Sequence, residues 1–264
     1  MTEPMHGGLG GRRIWVTRPR AQARGLCDLV QAAAGEAVEF PLTEIVQAPD
    51  PDAAGSLLGR VAQFDLCIFI SRNAVRHALE LRPELAQTMG NCRVFAVGAG
   101  TAMELSRGRL DATTGPGPAH GAADLLTLPQ LQAVAVHGRS ILVVRGLGGE
   151  ALLRAELERR GAFVQYAEVY QRRRPDYDQG HLQRLWQQSP PDVIVLTSAG
   201  GVRAMLELTP PGQHARLLQT TLVVISDRVG AAARRAGFSG ALLVAAGTSD
   251  LTLFQTLLKW RCNK

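Results

Sequence analysis

Continuous apolar runs along the chain predict strands that are buried on both faces. Such runs extend from Leu66 to Ile70 and from Val193 to Leu196, and they are typical of parallel sheets covered by helices on both sides. Polar and small residues follow each run at once, and a helical pattern comes next. Ser71 and Ser198 therefore occupy the position of an N-cap, whose side-chain oxygen accepts a hydrogen bond from a backbone N–H.

This pattern occurs twice. DLCIFISRNAVRHALE begins at Asp65 and DVIVLTSAGGVRAMLE at Asp192, an offset of 192 − 65 = 127 positions. RIWVTRPRAQARGLCDLV and RSILVVRGLGGEALLRAELE have strands that begin at Ile14 and Ile141, which is the same offset. Two further pairs have offsets of 128 and 126: Val94 with Leu222, and Asp124 with Asp250. Four blocks at nearly one offset predict two similarly folded α/β units.

Length and composition agree with a two-domain globular protein. The chain has 264 residues, of which 46% are hydrophobic and 20% charged, and domains usually contain roughly 100 to 200 residues. No apolar run approaches the roughly 20 residues that cross a bilayer, so no membrane association is expected. MTEPMHGGLG lacks the basic flank and apolar core of a signal peptide. Residues 1–11 are therefore predicted to be a flexible tail, and the expected location is the cytoplasm.

Metal and nucleic-acid sites are not indicated. The cysteines at 27, 67, 92 and 262 form no CxxC pair, and the histidines have no HExxH spacing, so buried thiols and no metal are expected. The net charge is +6, and 27 of the 29 basic residues are arginines. These are spread over all the helical segments, and only 5% of residues are aromatic, which argues against a groove that binds nucleic acid.

Known cofactor signatures are incomplete. VGAGTAM has Met103 where GxGxxG requires its third glycine, and RGLGGE lacks the GK[ST] of a phosphate loop. No cofactor is therefore expected. Glycine in either turn has a simpler explanation as well, because it lets the chain reverse tightly.

Several strand-to-helix turns offer backbone N–H groups to an anion. In open parallel sheets such turns lie at the carboxyl ends of the strands, where ligands bind. If both sheets present them to one cleft, a ligand meets helix N-termini from two sides, and each contributes about 0.3 to 1 kcal/mol. Together they suit a polyanion. The turns are Thr17-Arg18-Pro19, Ser71-Arg72-Asn73, Gly98 to Thr101, Arg145 to Gly149, Ser198 to Gly201 and Ser226-Asp227-Arg228.

An ordered set of motifs resembles one enzyme family. VTRPRAQ, FISRNAV, VGAGTA, VVRGLGGEALLRAELERRGAFVQYAEVYQR, VLTSAGGVRAM and ISDRVGAAARRAGF occur in this order over about residues 12 to 258. The set is similar to uroporphyrinogen-III synthase. RGxGG, the E-x-Y-x-R ending and TSAGGV carry most of the resemblance.

The resemblance implies a fold of class α/β with two similar flavodoxin-like domains, which have parallel sheets and are joined by a two-stranded β ladder. One domain would combine residues 12–40 with 172–264, and the other would comprise 41–171. The chain would then cross twice between the domains, near Pro41 to Ile45 and near Glu168 to Arg172, and form a hinge beside an active-site cleft. The family also suggests a monomer.

The implied activity is that of a lyase of tetrapyrrole (haem, sirohaem, cobalamin) biosynthesis. Its substrate is hydroxymethylbilane, a linear tetrapyrrole with eight carboxylates, and its product is uroporphyrinogen III. Loss of the terminal hydroxyl gives an azafulvene, which the substituted carbon of ring D attacks to form a spiro pyrrolenine. That bond reopens, the macrocycle closes with ring D inverted, and water is released. A transient contact with hydroxymethylbilane synthase is a further expectation.

The motif positions also imply site residues. Tyr170 is the catalytic candidate, because its phenol is placed to hydrogen-bond to or protonate the departing hydroxyl; the alternative is a packing role at the end of a strand. Arg18, Arg145 and Arg228 are candidates to pair with substrate carboxylates. For Arg18 and Arg145 the alternative is a salt bridge within one domain. The remaining substrate-binding candidates are Ser71, Asn73, Gly98, Thr101, Gly148, Ser198, Gly200 and Gly201.

Two turns depart from the family pattern. Ile70-Ser71 stands where many relatives have Thr-Ser, and Ser226-Asp227-Arg228 stands where many have Gly-Pro-Thr. Asp227 would repel a carboxylate that it faced. Two other classes also stay open: a two-domain cleft protein that binds a polyanionic small molecule without catalysis, and a nucleotide-dependent α/β enzyme, whose phosphate signature is absent.

Overall fold

A computed structural model describes residues 8–116, 121–149 and 151–262. The chain forms two compact units. The discontinuous unit combines the chain up to Glu44 with the chain from Arg173 onward, and the continuous unit is Ile45–Arg172. The sequence placed these boundaries at 40/41 and 171/172.

The described elements alternate between short strands and helices. The strands are β1 (Arg13–Val16), β2 (Glu36–Glu39), β3 (Glu44–Gln47), β4 (Leu66–Phe69), β5 (Arg93–Ala96), β6 (Thr113–Thr114), β7 (Ser140–Gly146), β8 (Phe163–Arg173), β9 (Val193–Leu196), β10 (Thr221–Val224) and β11 (Leu242–Val244). The helices are α1 (Arg20–Ala32), α2 (Pro51–Gly59), α3 (Arg72–Leu81), α4 (Leu85–Thr88), α5 (Ala99–Arg107), α6 (Ala122–Leu125), α7 (Ala133–Val136), α8 (Leu152–Arg159), α9 (Gln179–Gln188), α10 (Ala199–Leu208), α11 (His214–Gln219), α12 (Asp227–Arg235) and α13 (Asp250–Cys262). Single 3₁₀ turns lie at Val61–Gln63, Pro129–Leu131 and Pro211–Gln213.

The discontinuous unit is built on a five-stranded parallel sheet in the order β2-β1-β9-β10-β11. Numbered along this unit alone, the order is 2-1-3-4-5, which is flavodoxin-like. The central strands are buried on both faces. Trp15 packs with Trp186 on one face, and Val16 with Leu257 on the other. The apolar runs therefore predicted these strands correctly.

The continuous unit has the same sheet in a permuted chain order. Its strands lie in the order β3-β8-β7-β4-β5-β6, and the five from β8 to β6 are parallel. If β7 is taken as the first strand, β8-β7-β4-β5-β6 is again 2-1-3-4-5. The segment β7-α8-β8 thus corresponds to β1-α1-β2. This correspondence is the structural meaning of the repeated blocks in the sequence.

β3 pairs with the far end of β8 at the edge of the six-stranded sheet. The N–H of Ala48 donates to the carbonyl of Val169 at 3.4 Å, and the Gln171 amide donates to the carbonyl of Gln47 at 3.4 Å. From the first of these bonds to the second, the residue number falls along β3 and rises along β8, so the two strands are antiparallel. The two-stranded ladder expected from the resemblance corresponds to this pair.

The predicted tail needs a correction at its end. Leu9 is fully buried, and its N–H donates to the carbonyl of Ala33 at 2.7 Å. It packs with Ile14 and Val30. Residues 8–11 are therefore part of the discontinuous unit because an apolar side chain anchors them, whereas residues 1–7 lie outside the described part of the chain.

An aspartate fixes the start of a central strand pair in each unit. Asp65 accepts from the N–H of Ser140 at 2.8 Å and pairs with Arg139 at 2.8 Å. Asp192 accepts from the N–H of Arg13 at 2.8 Å and pairs with Arg12 at 3.0 Å. The two sets are equivalent in the repeat, because 192 − 65 = 127 and 139 − 12 = 127. The local chemistry that sets the strand register is therefore repeated as well.

We expect Asp65→Asn to lower the free energy of unfolding by about 1 kcal/mol at neutral pH, since it weakens hydrogen bonds at a half-exposed site. The backbone N–H of Ser140, followed by Arg139, holds the pKa of the Asp65 carboxyl below its usual range. Its contribution is complete above the ordinary carboxyl pKa of about 3.9 and is lost as the pH falls through the lower folded-state pKa.

Denaturant titrations of wild type and variant at several pH values measure this effect. The difference in unfolding free energy should shrink below about pH 4. A difference that is independent of pH would contradict the assigned cause. Asp192→Asn removes the equivalent hydrogen-bond acceptor in the other unit and is compared with it at neutral pH.

Candidate functional site

Four strand-to-helix turns share one backbone geometry. The N-cap residues Ser71, Gly98, Ser198 and Ser226 are all extended, with φ from −167 to −157°. The Ser71 Oγ accepts from the N–H of Ala74 at 3.1 Å, and the Ser198 Oγ accepts from the N–H of Gly201 at 3.0 Å. The N-cap interpretation of both serines is therefore confirmed. The first amides of such a helix have no acceptor within the helix and point out of its N-terminus.

Parallel pairing brings these turns to one edge within each unit. The turns after β4, β5 and β7 lie at the carboxyl edge of the continuous unit's sheet, and those after β1, β9 and β10 lie at the carboxyl edge of the other sheet. Ligands of such sheets bind at this edge, where the strand order reverses. The reversal lies between β7 and β4 in one unit and between β1 and β9 in the other.

Tyr170 reaches across this reversal point in the continuous unit. A β-bulge at Arg145/Gly146 shifts the register, so that Gly146 lies opposite Tyr170. The ring lies over Gly146, because a Cβ built on that glycine would be 2.5 Å from the tyrosine Cζ. The phenol oxygen lies 3.2 Å from the Ser71 Oγ at the start of α3. One side chain thus links the ends of β8, β7 and β4.

Neighbouring side chains enclose the Tyr170 ring. The His77 imidazole stacks on it with 5.7 Å between centroids, and the Arg172 guanidinium carbon lies 6.0 Å from its centroid. Tyr170 is only 2% exposed. Its ring therefore packs as the alternative interpretation expected, while its hydroxyl is aimed at the helix N-terminus.

Two predicted carboxylate-binding arginines are engaged within their own units. Arg18 is 8% exposed, forms an ion pair with Asp250, and donates to the carbonyl of Thr248 at 3.2 Å. Arg145 is 3% exposed, and its Nε donates to the carbonyl of Gly146 at 3.1 Å and lies 3.9 Å from a Glu168 oxygen. Its guanidinium also lies 4.3 Å above the Tyr166 ring. Both arginines therefore have the intradomain partners of the salt-bridge alternative, because burial requires a partner for each charge, and their contact with substrate stays a prediction.

The other predicted residues fall into two groups. The continuous unit contains Asn73, Gly98, Thr101 and Gly148. Thr101 is buried, and its N–H donates to the carbonyl of Gly98 at 2.9 Å. Gly148 is exposed and has φ of +72°, a conformation that favours glycine. Ser198, Gly200, Gly201 and Arg228 are in the discontinuous unit, where Gly201 is buried and the other three are exposed. Arg228 follows Asp227 in the first turn of α12.

The sequence over most of the chain matches one family model. Residues 26–248 match the family described as uroporphyrinogen-III synthase HemD. The chain belongs to the uroporphyrinogen-III synthase family. Uroporphyrinogen-III synthase of Salmonella typhimurium (strain LT2) is 31% identical over 227 residues, which is 85% of this chain and 92% of that protein. The Escherichia coli K12 enzyme is 30% identical with the same coverage.

Solved structures support the same fold. A mutant uroporphyrinogen III synthase from the extreme thermophile Thermus thermophilus matches with a TM-score of 0.60 and 18% identity, covering 94% of this chain and 99% of that one. The Helicobacter pylori 26695 enzyme matches with a TM-score of 0.61 and 18% identity, covering 95% and 99%. The predicted resemblance and α/β fold class are therefore confirmed. At this identity the structural likeness concerns the fold alone.

Three residues around Tyr170 and the neighbouring helix starts were not among the predicted site residues. Gly146 has a positional signal, since a glycine that ends a strand often marks a close approach. Arg72 is exposed, and its Cδ would lie 3.7 Å from a Cβ on Gly100, so its side chain extends from α3 toward the start of α5. His77 gave no local signal, because its stacking partner is 93 positions away (170 − 77 = 93).

The three thiols that the structure describes have the predicted structural character. Cys27, Cys67 and Cys92 are buried and unpaired, and burial raises the pKa of the Cys92 thiol to about 12. Such thiols are poor nucleophiles and poor metal ligands at neutral pH. Within the described ranges, no three His, Cys, Asp or Glu side chains are grouped to hold a metal ion. Those ranges also contain no helix with the length and apolar character needed to span a bilayer.

Proposed function

We propose that this protein catalyses the conversion of hydroxymethylbilane to uroporphyrinogen III, with loss of water and inversion of ring D. It belongs to a family of enzymes that are named for this product. The observation that carries the proposal to this chain is the position of Tyr170, at the reversal of strand order and at the carboxyl edge of its sheet. Ligands of flavodoxin-like sheets bind at that place.

Substrate carboxylates provide the first contacts in the proposed mechanism. The turns that begin at Ser71, Gly98 and Ser198 present the amides of helix first turns, which favour anions. The other proposed contacts, which rest on position in the motifs, are Asn73, Thr101, Gly148, Gly200, Gly201 and Arg228. We add Arg72, whose exposed guanidinium lies beside two of these helix starts.

Tyr170 is the proposed general acid. Its phenol donates a proton to the terminal hydroxyl of the substrate, the carbon–oxygen bond breaks, and water leaves while the adjacent pyrrole supplies the electrons. Because Tyr170 is 2% exposed, the phenol meets the substrate only after a displacement of the neighbouring Arg172 or of another covering side chain. The rest of the reaction depends on geometry, and holding the reacting ends together contributes roughly 7 to 11 kcal/mol in well-oriented systems.

The direct test is the isomer of the product. Purified protein is incubated with freshly prepared hydroxymethylbilane, the products are oxidised, and the porphyrin isomers are separated. We expect mainly type III, whereas the substrate alone closes to type I. Type I at the rate of the protein-free control would contradict the proposal.

A binding measurement separates the alternatives. Uroporphyrinogen III should raise the melting temperature, since a ligand of the native state stabilises it, and nucleotides should not. Stabilisation without any type III product would indicate the non-catalytic polyanion-binding protein. A monomeric state, a cytoplasmic location and a transient contact with hydroxymethylbilane synthase belong to this proposal, and gel filtration and cell fractionation test the first two.

A further inference from the structure

We infer that Ser71 is a positioning residue for Tyr170. Its hydroxyl holds the Tyr170 phenol in place in the ground state, and it donates a hydrogen bond to Tyr170 when that side chain is a phenolate during turnover. The inference rests on the proposed function. Ser71 stood among the predicted substrate-binding residues, but its oxygen has two protein partners instead, the N–H of Ala74 at 3.1 Å and the Tyr170 phenol at 3.2 Å.

The capping bond determines what the Ser71 hydroxyl has left to offer. A serine hydroxyl has one proton and two acceptor lone pairs. The Ala74 amide takes one lone pair, so one further acceptor site and the single proton remain for Tyr170. The contact can therefore have either direction, with the phenol donating or the serine donating, and it can reverse without any movement of the heavy atoms.

Such a reversal matches the charge change that the reaction requires. When the phenol gives its proton to the leaving hydroxyl, the Tyr170 oxygen becomes a phenolate and only accepts. The Ser71 proton then turns to this oxygen, and a hydrogen bond to a charged acceptor is roughly twice as strong as a neutral one. The proton balance closes when the reacting pyrrole regains its aromaticity, because that step releases a proton to the phenolate.

The helix behind Ser71 acts in the same sense. α3 has 10 residues, and Ser71 caps its N-terminus, the positive end of the helix dipole. A negative oxygen 3.2 Å from the Ser71 Oγ is therefore favoured over a neutral one. Both effects appear only when charge develops, so they lower the barrier and leave ground-state binding of the substrate unchanged.

The experiment is a kcat and KM comparison on the full chain. Ser71→Ala should lower kcat about tenfold, the size expected for one hydrogen bond, and leave KM within about twofold. Ser71→Thr should restore most of the rate, because threonine keeps both the cap and the hydroxyl. Ser71→Gly also removes the hydroxyl but maintains the helix start nearly as well as serine, so it gives the same answer if Ser71→Ala is unstable.

Asp50→Ala is the matched control for loss of a cap. The Asp50 carboxylate caps α2 in the same unit by accepting from the N–H of Ala53 at 2.9 Å. This variant should lose a similar stability and keep the wild-type kcat. A tenfold loss of kcat in the control as well would overturn the inference, because it would show that cap loss alone lowers the rate.

A double mutant separates this inference from the proposed function. Ser71→Ala should lower kcat no further in a Tyr170→Phe background, because the partner oxygen is gone. An undiminished second loss, or a raised KM with wild-type kcat, would make Ser71 a substrate ligand and overturn the inference while Tyr170 keeps its role. A wild-type kcat for Tyr170→Phe would overturn both residue roles, and the type III product of wild type would still stand.

Discussion

Tyr170→Phe is expected to lower kcat at least about a hundredfold, the lower range for loss of a general acid, while the protein stays folded. The change removes only the hydroxyl, so the ring keeps its place over Gly146 and its stacking on His77. The lost bond to Ser71 should cost about 1 kcal/mol of unfolding free energy. Steady-state rates with hydroxymethylbilane and thermal melts measure the two effects.

Tyr177→Phe is the matched control for this prediction. Tyr177 is a half-buried tyrosine of the discontinuous unit, and its hydroxyl donates to the carbonyl of Pro41 at 3.0 Å. Its replacement removes the same group at a similar cost in stability, and kcat should stay at the wild-type value. Equal rates for wild type and a folded Tyr170→Phe would show that the phenol has only a packing role.

Gly146→Ala is expected to lower kcat by a similar factor through displacement of the Tyr170 ring. The added methyl carbon would lie 2.5 Å from Cζ and 2.6 Å from Cε2 of the ring, distances at which one of them must move. Because His77 stacks on the Tyr170 ring, the ring has little space for a small shift that would accommodate the methyl group. Overpacking of this kind costs about 1 to 3 kcal/mol of stability.

The control for this variant is Gly121→Ala in the same unit. Among the described residues, and apart from its own chain neighbours, no heavy atom lies within 4 Å of a Cβ at Gly121, so this substitution should change neither stability nor kcat appreciably. Rates are compared below the melting temperature of both variants, with circular dichroism as the check on folding. Wild-type kcat in a folded Gly146→Ala variant would show that the ring position is irrelevant to turnover.

Local patterns in the sequence predicted the secondary structure at the site. The apolar run from Val193 to Leu196 is the strand β9, and Ser71 and Ser198 cap helices as expected. These features depend on neighbouring residues only, so the residues that determine them lie within a few positions of each other in the sequence. The motifs likewise identified the family, because they are spread over most of its length.

Features of the site that depend on long-range contacts could not be predicted from the sequence. The exposed or buried state of an arginine depends on its partner, and the partner of Arg18 is Asp250, which is 232 positions away. No local pattern distinguishes such a residue from Arg72, which is exposed at a helix start. The position of the Tyr170 side chain also depends on a long-range feature, the β-bulge at Gly146, which changes the register between two strands.

The permuted strand order imposes a sequence of events on the nascent polypeptide. β1 leaves the ribosome early, yet its neighbour β9 is made only after the whole continuous unit, since Ile14 pairs with Val193. The continuous unit has all its strands available once β8 has emerged. The edge of β1 that later pairs with β9 therefore stays unpaired in the first-made strand–helix–strand segment until translation has passed β9 (Val193–Leu196).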